Sequence, residues 1–533
     1  MPVLLRTSRD LPPCPSYRWW FRIPGDHDGA TAPDTDAALS GLPTLLEQAF
    51  DDSAADWWAL GRALGQDASG RTAHTPVCSP NASDLGLMLA WTRIVQQKAA
   101  EAEATLVLCD DPWMFRHLRG IANVAAGRPP NLLAAAAWLY GRGVLSRCQT
   151  ALRYAVWSMR MSRQPQAPEN AGWLMVYGHP TSTPDGVDGY FGRLMQDMPA
   201  LRRILHVDCP PGHASELARD GRTVSLHGFG QPAFALTLPF RRWRPAAVHR
   251  RGAYGFLIRR AAAREGGTGT AAAIVWQRHC QTRWLRRTRP AAMAWPWENH
   301  AWERALVRTA RTLGVRTNGY QHSVIGRQML NYGPASNPDG ETSLPDRIIC
   351  NGPATCDHLV GWNVPRERLV IGGALRFVGQ ANPKKDRNAP IFLALPFDNV
   401  TATEMVDAAR TAAREGFRFV VKDHPMFPFA FTDTAGVERT TGQLSAQPAV
   451  SAVIYAATTV GLEAILAGIP TLRFRPRAKI AIDILPHGVT APAVEAETMI
   501  EVLRNMSDPA MVAPTDIFAP VDLTVWRRAL EMA

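Results

Sequence analysis

The sequence predicts an α/β fold, in which buried strands alternate with helices over two or three domains. Three observations indicate this fold. First, apolar runs such as residues 173–177, 204–207 and 391–395 end in polar turns that lead into helical patterns. Second, the chain has 533 residues, which is enough for several domains. Third, 46% apolar and 20% charged residues are typical of an ordinary globular chain.

The first unit, residues 1–165, is predicted to be an N-terminal α/β segment. Residues 105–109 form an apolar run that predicts a buried strand, and residues 85–104 carry a helical pattern. Asp110 and Asp111 follow the strand. Adjacent aspartates can bind a metal ion or act as a base, but capping of the next helix is their more frequent use.

The second unit, residues 166–378, is predicted to carry a catalytic pair. A strand at residues 291–295 ends just before Glu298, and Asn299 is expected to cap the helix that follows. The next strand ends just before His322. Successive turns of an open parallel sheet lie on one edge, so Glu298 and His322 are expected side by side. For His322 alone, a buried core histidine would be the better interpretation.

Glu303 is the weaker catalytic candidate of the two glutamates in this region. It falls in the first turns of the predicted helix, where the helix dipole favours an acid, so we expect a structural role. It also lies five residues beyond Glu298, or about 500° around a helix. The two carboxylates are therefore not expected to share one face.

The third unit, residues 390–515, is predicted to bind a nucleotide. A buried strand leads into Thr458 and Thr459, which open a helix, and hydroxyls and free N–H groups at a helix start can hold phosphate. Glu463 lies about one turn further on, where a carboxylate can accept hydrogen bonds from ribose hydroxyls. A capped helix with a satisfied core glutamate is the alternative. Residues 516–533 are predicted to end the chain as a helix.

A second polar strand end belongs to the same predicted site. Lys422 and His424, followed by Pro425, end the preceding long strand pattern. We expect them to come from the strand next to the Thr458 turn and to face the same anion. The Lys-x-His-Pro run, the hydroxyl turn and the later Glu-Ala-x-x-x-Gly-x-Pro run together resemble the donor-nucleotide half of GT-B glycosyltransferases, especially sialyltransferase-like and Kdo-transferase-like enzymes of bacterial surface polysaccharides and, more distantly, CDP-glycerol polymerases.

The resemblance implies a site and a fold. In those families the His-Pro pair and the hydroxyl turn hold a cytidine nucleotide, and the matching donor-nucleotide residues here are Lys422, His424, Pro425, Thr458, Thr459 and Glu463. The Tyr-Phe-Gly step at residues 190–192 and the Trp-Glu-Asn-His-Ala-Trp-Glu run at 297–303 resemble surface-carbohydrate biosynthesis proteins of GT-B type. The family fold implies two Rossmann-like domains that face each other across a cleft, with the acceptor on the 166–378 side.

The resemblance also implies an activity. We expect a metal-independent glycosyltransferase without a cofactor that moves an acidic sugar of the Kdo or sialic-acid (nonulosonate) type from a CMP-activated donor to a glycan, lipid-linked or protein acceptor. Glu298 would act as base, nucleophile or stabiliser, and His322 would orient it or bind the donor carboxylate. Two alternatives stay open: a UDP-sugar, GDP-sugar or CDP-glycerol donor, and a non-catalytic, Arg-rich binding protein of the same fold.

The positive charge of the chain is concentrated in residues 241–290. This window holds thirteen arginines against the single acid Glu265, while the whole chain has a net charge of +11. No nucleic-acid-binding motif accompanies them, so nucleic acid is not expected as a partner. We predict that four arginines face an anionic acceptor or membrane surface, although a solvated basic face is an equally good interpretation. They are Arg250, Arg251, Arg259 and Arg260.

Composition also limits the location of the protein. No run approaches the ~18 apolar residues of a membrane span. Residues 1–15 carry two arginines and four prolines where a signal peptide needs an apolar core. The eight cysteines include no CxxC pair, so neither a zinc site nor a disulfide framework is indicated. We therefore expect a cytoplasmic protein, with peripheral contact at the inner face of the membrane.

Overall fold

The computed structural model describes residues 3–11, 16–25, 37–80, 82–101, 103–162, 171–376, 383–424, 427–477 and 479–530. Three parallel sheets organise them, one in each third of the chain. The central strands of the two larger sheets are buried along all or nearly all of their length, because helices cover both faces. This burial explains why these strands are continuous apolar runs in the sequence.

The first sheet belongs to the N-terminal unit and has the strand order β2-β3-β1-β4. Asp111 caps helix α4, because its carboxylate accepts hydrogen bonds from the N–H groups of Trp113 and Met114 at 3.0 and 2.9 Å. The elements are β1 (Val3–Arg6), β2 (Trp19–Ile23), α1 (Leu42–Asp52), α2 (Ala54–Gly65), α3 (Leu85–Glu101), β3 (Thr105–Cys109), α4 (Pro112–Leu118), β4 (Val124–Ala126) and the long helix α5 (Leu132–Arg160).

The second sheet is doubly wound, with the strand order β11-β10-β9-β8-β5-β6-β7. The chain moves outward from β5 to β7 and then crosses to the other side of β5 as β8. Its elements are β5 (Gly172–Val176), α6 (Leu194–Asp197), β6 (Arg202–Leu205), α7 (Pro211–Leu217), β7 (Thr223–Ser225), α8 (Pro232–Ala235), α9 (Ala247–Arg251), α10 (Gly255–Gly266), α11 (Thr270–Thr288), β8 (Ala292–Pro296), α12 (Ala301–Thr312), β9 (Arg316–Gln321), β10 (Arg347–Cys350), α13 (Pro353–Gly361) and β11 (Leu369–Ile371).

The third sheet repeats this winding with the order β15-β14-β13-β17-β18-β19. Here the chain reverses direction between β13 and β17, and a separate short pair joins β12 to β16. The elements are β12 (Lys384–Lys385), β13 (Ile391–Ala394), α14 (Asn399–Arg414), β14 (Phe419–Lys422), β15 (Val437–Thr440), β16 (Ala449–Val450), β17 (Val453–Tyr455), α15 (Val460–Leu466), β18 (Thr471–Phe474), β19 (Ala493–Val494), α16 (Met499–Arg504), α17 (Pro514–Ile517) and α18 (Leu523–Leu530).

The second and third sheets confirm the predicted α/β fold of two Rossmann-like domains, and the first sheet confirms the additional N-terminal α/β segment. Helix α18 returns to the middle domain, where the buried indole of Trp526 donates to the carbonyl of Gly372 at 3.0 Å. None of the helices in the described ranges is both long and apolar enough to cross a bilayer.

Helix α1 ties the three units together through one buried carboxylate. Glu47 contacts Arg473 at 2.6 Å and Arg475 at 2.5 Å, both on or just after β18 of the third domain. It also pairs with Arg327, which lies in the loop between β9 and β10 of the middle domain. One buried carboxylate therefore contacts arginines of both other units.

Candidate functional site

The point of chain reversal in the middle sheet carries several polar and aromatic side chains. Tyr177 follows β5, and Glu298 lies two residues beyond the end of β8. His322 follows directly after β9, the next strand along. In doubly wound sheets, ligands bind in the crevice outside the carboxyl ends of the strands where the winding reverses. The predicted residues Glu298 and His322 therefore lie at the edge of the sheet that is expected to bind a ligand.

Glu298 combines access to the crevice with a perturbed pKa. Its side chain is 32% exposed, so a bound ligand can reach it. The protein packed around it nevertheless removes much of its hydration, and this burial raises the pKa of its carboxyl to about 7. Its backbone carbonyl is held by the side-chain amide of Asn331 at 2.8 Å. A carboxyl in this state can accept a proton at neutral pH.

The turn after Glu298 differs from the predicted helix cap. Helix α12 begins at Ala301, with His300 in the N-cap position and without a side-chain cap. Asn299 has φ of 58°, in the left-handed region, and its amide donates to the carbonyl oxygens of Asn331 and Asn337 at 2.9 and 3.1 Å. The predicted Asn299 cap is therefore wrong. The left-handed residue makes the chain turn once more before the helix starts.

Glu303 organises this turn. Its Oε2 accepts hydrogen bonds from the indole of Trp295 at 3.1 Å and from the backbone N–H groups of Glu298 and Asn299, both at 2.9 Å. Burial, and then the charge of Glu298, raise the pKa of Glu303 to about 8. These contacts fit the structural role expected for it.

The expectation that the two glutamates lie apart is wrong. The Nδ1 of His300 lies 3.4 Å from Glu298 Oε2 and 3.7 Å from Glu303 Oε1. The angular argument failed because Glu298 is not helical and folds back over the start of α12. His300 was not predicted as a site residue, although it lies only two positions after Glu298 in the sequence.

The tautomer of His300 follows from its other contact. The backbone N–H of Ser79 donates to His300 Nε2 at 3.4 Å, so a neutral ring carries its proton on Nδ1. Burial lowers the pKa of His300 well below its ordinary value, which keeps the ring neutral. Nδ1, which then carries the ring proton, lies 3.4 Å from Glu298 Oε2 and 3.7 Å from Glu303 Oε1. His300 is thus placed to orient the carboxyl of Glu298.

His322 is buried beside the same crevice. Its ring packs edge-on against Tyr190 at 5.1 Å, and its Nδ1 has no hydrogen-bond partner among the described residues. Burial, and then the charge of Arg376, lower the pKa of His322 to about 3. Tyr190 interacts with Glu298 as well: burial, and then the negative charge of Glu298, raise the pKa of Tyr190 to about 12. Within the described ranges no hydrogen bond or ion pair joins Glu298 to His322, so their predicted partnership stays a prediction.

The reversal point of the third sheet carries the predicted nucleotide turn. Ala457 lies two residues past β17 and has φ of 49°, a left-handed conformation that is rare for alanine. Such strain is often found at functional sites. Thr459 follows, but its hydroxyl is 3.5 Å from Glu463 Oε1 and caps no N–H of the seven-residue helix α15. The expected phosphate contacts of Thr458 and Thr459 and the ribose contact of Glu463 therefore stay predictions.

Lys422 and His424 do not come from the neighbouring strand, as the sequence analysis expected. Strand β13 lies between β14, which ends in Lys422, and β17, so about 10 Å separates the two strand ends at ~4.8 Å per strand. His424 packs against Phe427 at 5.4 Å, and burial together with Lys422 lowers its pKa. These two residues and the Thr458 turn can contact different parts of one ligand. Pro425 lies outside the described residues.

Arg376 connects the two sheet edges electrostatically and was not predicted as a site residue. It is exposed and lies five residues past β11, with its guanidinium 5.4 Å from the ring of Tyr190 on the middle-domain edge. Its charge also lowers the pKa of Glu463 on the third-domain edge, against the larger raising effect of burial.

A cavity of about 650 Å³ lies where the three units meet. Its walls include Ser83 from the first unit, Arg264 from the middle domain, and Phe397 and Ala457 from the reversal point of the third sheet. His74 also lines it, and the ring of His74 packs edge-on against His300 at 5.5 Å. The cavity therefore extends from the third-domain edge to His74, whose ring separates it from His300 and Glu298.

The predicted arginine surface is wrong for Arg260. This side chain is buried, with Nε 2.6 Å from Asp111 and Nη2 2.8 Å from Asp84, so it joins α10 to the N-terminal unit. Arg250 and Arg251 are exposed, and the guanidinium of Arg259 lies 4.0 Å from the centre of the Phe256 ring. For these three residues the acceptor or membrane role stays a prediction.

No protein-family model and no curated protein matches the chain. Solved structures match it at low similarity. UDP-GlcNAc 2-epimerase from Neisseria meningitidis, solved with UDP-GlcNAc, shares 11% identity over 62% of this chain and 90% of its own, with a TM-score of 0.34. The calicheamicin glycosyltransferase CalG4 shares 12% identity over 63% of this chain and 90% of its own, with a TM-score of 0.39. MurG of Acinetobacter baumannii shares 12% identity over 63% of this chain and 89% of its own, with a TM-score of 0.32. These likenesses assign no substrate to the chain.

Proposed function

We propose that the chain is a glycosyltransferase that moves a sugar from a nucleotide-activated donor to a hydroxyl group of an acceptor. The observation that carries this proposal is the pairing of two sheet-reversal edges through Arg376. One edge presents Glu298, whose pKa of about 7 suits a general base. The other presents Lys422 at the end of β14, two strands from the strained turn at Ala457, and a bound nucleotide would span these two points.

In the proposed reaction, Glu298 removes the proton of the acceptor hydroxyl. The acceptor oxygen then forms a bond to the anomeric carbon, the bond from that carbon to the phosphate oxygen breaks, and the nucleotide leaves with the electron pair. His300 holds the Glu298 carboxyl through its Nδ1 proton. Arg376 and Lys422 would stabilise the negative charge that develops on the leaving phosphate. Independence from a metal ion stays part of the proposal.

The donor fits a nucleoside diphosphate sugar better than a CMP-linked acidic sugar. The cationic groups are spread out, since Lys422 ends β14, Arg376 follows β11 of the other domain, and the Thr458 turn is two strands from β14. A CMP-sugar has a single phosphate and would need these groups close together. A UDP-sugar or GDP-sugar has two phosphates and a longer reach. The acidic-sugar donor therefore becomes the second candidate.

A nucleotide titration tests the donor. We expect UDP or GDP to raise the melting temperature of the purified protein more than CMP or CDP, because only the cognate nucleotide binds the folded state strongly. Lys422→Gln and Arg376→Gln should each weaken that binding about tenfold, as expected for a lost charged contact. Arg414→Gln, an exposed arginine in the last turn of α14, is the matched control and should bind as the wild type does.

Two outcomes would change the proposal. A preference for CMP, lost in the same two variants, would restore the acidic-sugar donor. If none of the four nucleotides bound and the protein transferred no sugar from a mixture of nucleotide sugars to a mixture of acceptors, the transferase proposal would be rejected. A binding protein of the same fold would then be favoured. Glu298→Gln separates binding from chemistry, because it should bind the nucleotide normally and lose transfer.

A further inference from the structure

Helix α5 exposes an apolar stripe that no part of the proposed reaction uses. Four large side chains recur along it at intervals of seven residues, and between 56% and 68% of each is exposed. They are Trp138, Leu145, Leu152 and Met159. Seven residues are two helical turns less about 20°, so the four lie on one side of the helix. At 1.5 Å per residue they extend over about 32 Å.

The other side of α5 is already part of the protein core. Leu139, Ala151 and Tyr154 are buried there, against the 226–240 segment and the helices of the middle domain. Helix α5 is thus apolar on two faces, of which only one is covered. Tyr140 and Phe240 are also exposed. Phe240 extends the uncovered apolar area beyond one edge of the helix, because the guanidinium of Arg147 on α5 donates a hydrogen bond to the carbonyl of the neighbouring Pro239.

Arginines flank the stripe. At 100° per residue, Arg142, Arg153 and Arg160 lie in one row beside it, and all three are exposed. The Arg142 guanidinium lies 4.6 Å from the centre of the Trp138 ring, and Arg242 lies 5.1 Å from that of Tyr140 on the other edge. Arginine stems can cover apolar surface while the charged ends reach outward to polar groups.

Negative charge is sparse on this surface, where Asp208, between β6 and α7, is close enough to Arg153 for that guanidinium to lower the pKa of its carboxyl against the effect of burial. Neither the α5 sequence nor residues 221–264 contain an Asp or a Glu. If a second copy of the chain covered the stripe, the arginine rows would meet each other or further arginines, and no carboxylate of these segments could pair with them. Like charges across an interface oppose association. A second copy is therefore a poor occupant.

We propose that the α5 stripe is a docking surface for an anionic lipid bilayer. An apolar strip about 32 Å long, on a helix that carries arginines and no acid of its own, matches the boundary between acyl chains and anionic headgroups. Helix α5 would lie in the plane of the membrane surface, with Trp138, Leu145 and Leu152 below the headgroups and the arginines at their level. The surface does not include Arg250, Arg251, Arg259 or Arg260, the four arginines predicted from the sequence, and it does not depend on the proposed transferase activity.

The experiment is flotation of the full chain with lipid vesicles. Vesicles of neutral phosphatidylcholine are compared with vesicles that contain equal parts of phosphatidylcholine and anionic phosphatidylglycerol. We expect binding to the anionic vesicles that weakens as salt rises from about 0.05 M to about 0.5 M, because salt screens the arginines. Arg153→Gln with Arg160→Gln should weaken binding about fivefold per arginine. Leu145→Gln with Leu152→Gln should weaken it at least tenfold at every salt concentration.

Matched controls come from the third domain. Met511 is 85% exposed and Arg414 is exposed, and neither lies on α5, so Met511→Gln and Arg414→Gln should float as the wild type does. Nucleotide binding and the melting temperature should be unchanged in all of these surface variants, which shows that they are folded.

Three results would overturn the proposal. The first is the absence of flotation with either vesicle. The second is equal flotation of the wild type and the Leu145/Leu152 variant. The third is a wild-type dimer, measured by light scattering, that the same variant converts to a monomer, since a second copy would then cover the stripe.

Discussion

The carboxyl of Glu298 gives the clearest expectation for an individual residue. A general base acts when it is deprotonated, so kcat/KM should rise with pH up to about 7, the pKa to which burial raises Glu298, and level off above it. Glu298→Gln should lower kcat by ~10²- to 10⁴-fold and abolish this acid limb. The measurement is a pH profile of transfer for wild type and variant.

Glu303→Gln is the matched control for Glu298→Gln, because the two carboxyls share His300. It should chiefly lower the melting temperature, since the three hydrogen bonds to Glu303 Oε2 hold the turn. If Glu303→Gln were stable but inactive while Glu298→Gln remained active, the base would be Glu303.

His300 is a positioning residue, and its loss should move the pH profile as well as the rate. We expect the Nδ1–H of His300, 3.4 Å from Glu298 Oε2, to donate to the ionised carboxyl during the reaction, so removal of the ring should raise the pKa of Glu298 and shift the acid limb to higher pH. His300→Ala should therefore be most impaired near pH 6 and partly recover near pH 8, with an unchanged KM for the donor. A uniform loss of rate at every pH would argue that His300 only supports the fold.

At the scale of elements, the sequence predicted strands better than their order. The expected strands at 173–177 and 391–395 correspond closely to Gly172–Val176 and Ile391–Ala394, because parallel strands covered on both faces must be apolar throughout. Strand order depends on crossovers between distant segments, so the position of β13 between β14 and β17 could not be predicted from local pattern. Helix α5 was missed because its two apolar faces hide the usual helical period.

The site shows the same division between local and distant information. Placing Glu298 and His322 on one edge required only that the turns of a parallel sheet share an edge. The left-handed φ of Asn299 has no reliable sequence signal, so the start of α12 was misplaced. Arg376 and His74 reach the site through the packing of separate units, and no spacing along the chain indicates that.

The junction between α10 and the N-terminal unit rests on the buried charge cluster of Arg260. Removing this guanidinium leaves Asp111 buried without its partner, which typically costs about 3–5 kcal/mol. Arg260→Leu should therefore lower the free energy of unfolding by about that amount in urea titrations. Arg250→Gln, an exposed arginine of the same segment, should change it by less than about 0.5 kcal/mol. Equal effects of the two substitutions would mean that the cluster does not stabilise the junction.

At the scale of the whole molecule, Glu47 controls how the three units hold together. Burial alone would raise its pKa, but Arg473, Arg475 and Arg327 outweigh burial and lower the pKa below the ordinary value of 4.5. A carboxyl with a lowered pKa in the folded state stabilises that state above its unfolded pKa and loses the effect as pH falls through the folded value. The contribution of Glu47 should therefore be complete at neutral pH and be lost as the pH falls from 4.5 through the lowered folded-state value.

Glu47→Gln tests this hub. The substitution leaves three arginines facing a neutral amide, so we expect a loss of about 3 kcal/mol at pH 7, as for other broken buried ion pairs. The difference from wild type should shrink as pH falls below 4.5, because wild-type Glu47 then becomes neutral as well. Gln48→Ala, on the same helix and hydrogen-bonded to Asp52, is the control.

Because Glu47 holds α1 against β18 near the shared cavity, Glu47→Gln should also raise the KM for the donor. A stability difference that stays constant from pH 7 to pH 3 would show that Glu47 acts through packing, and that its charge does not join the units.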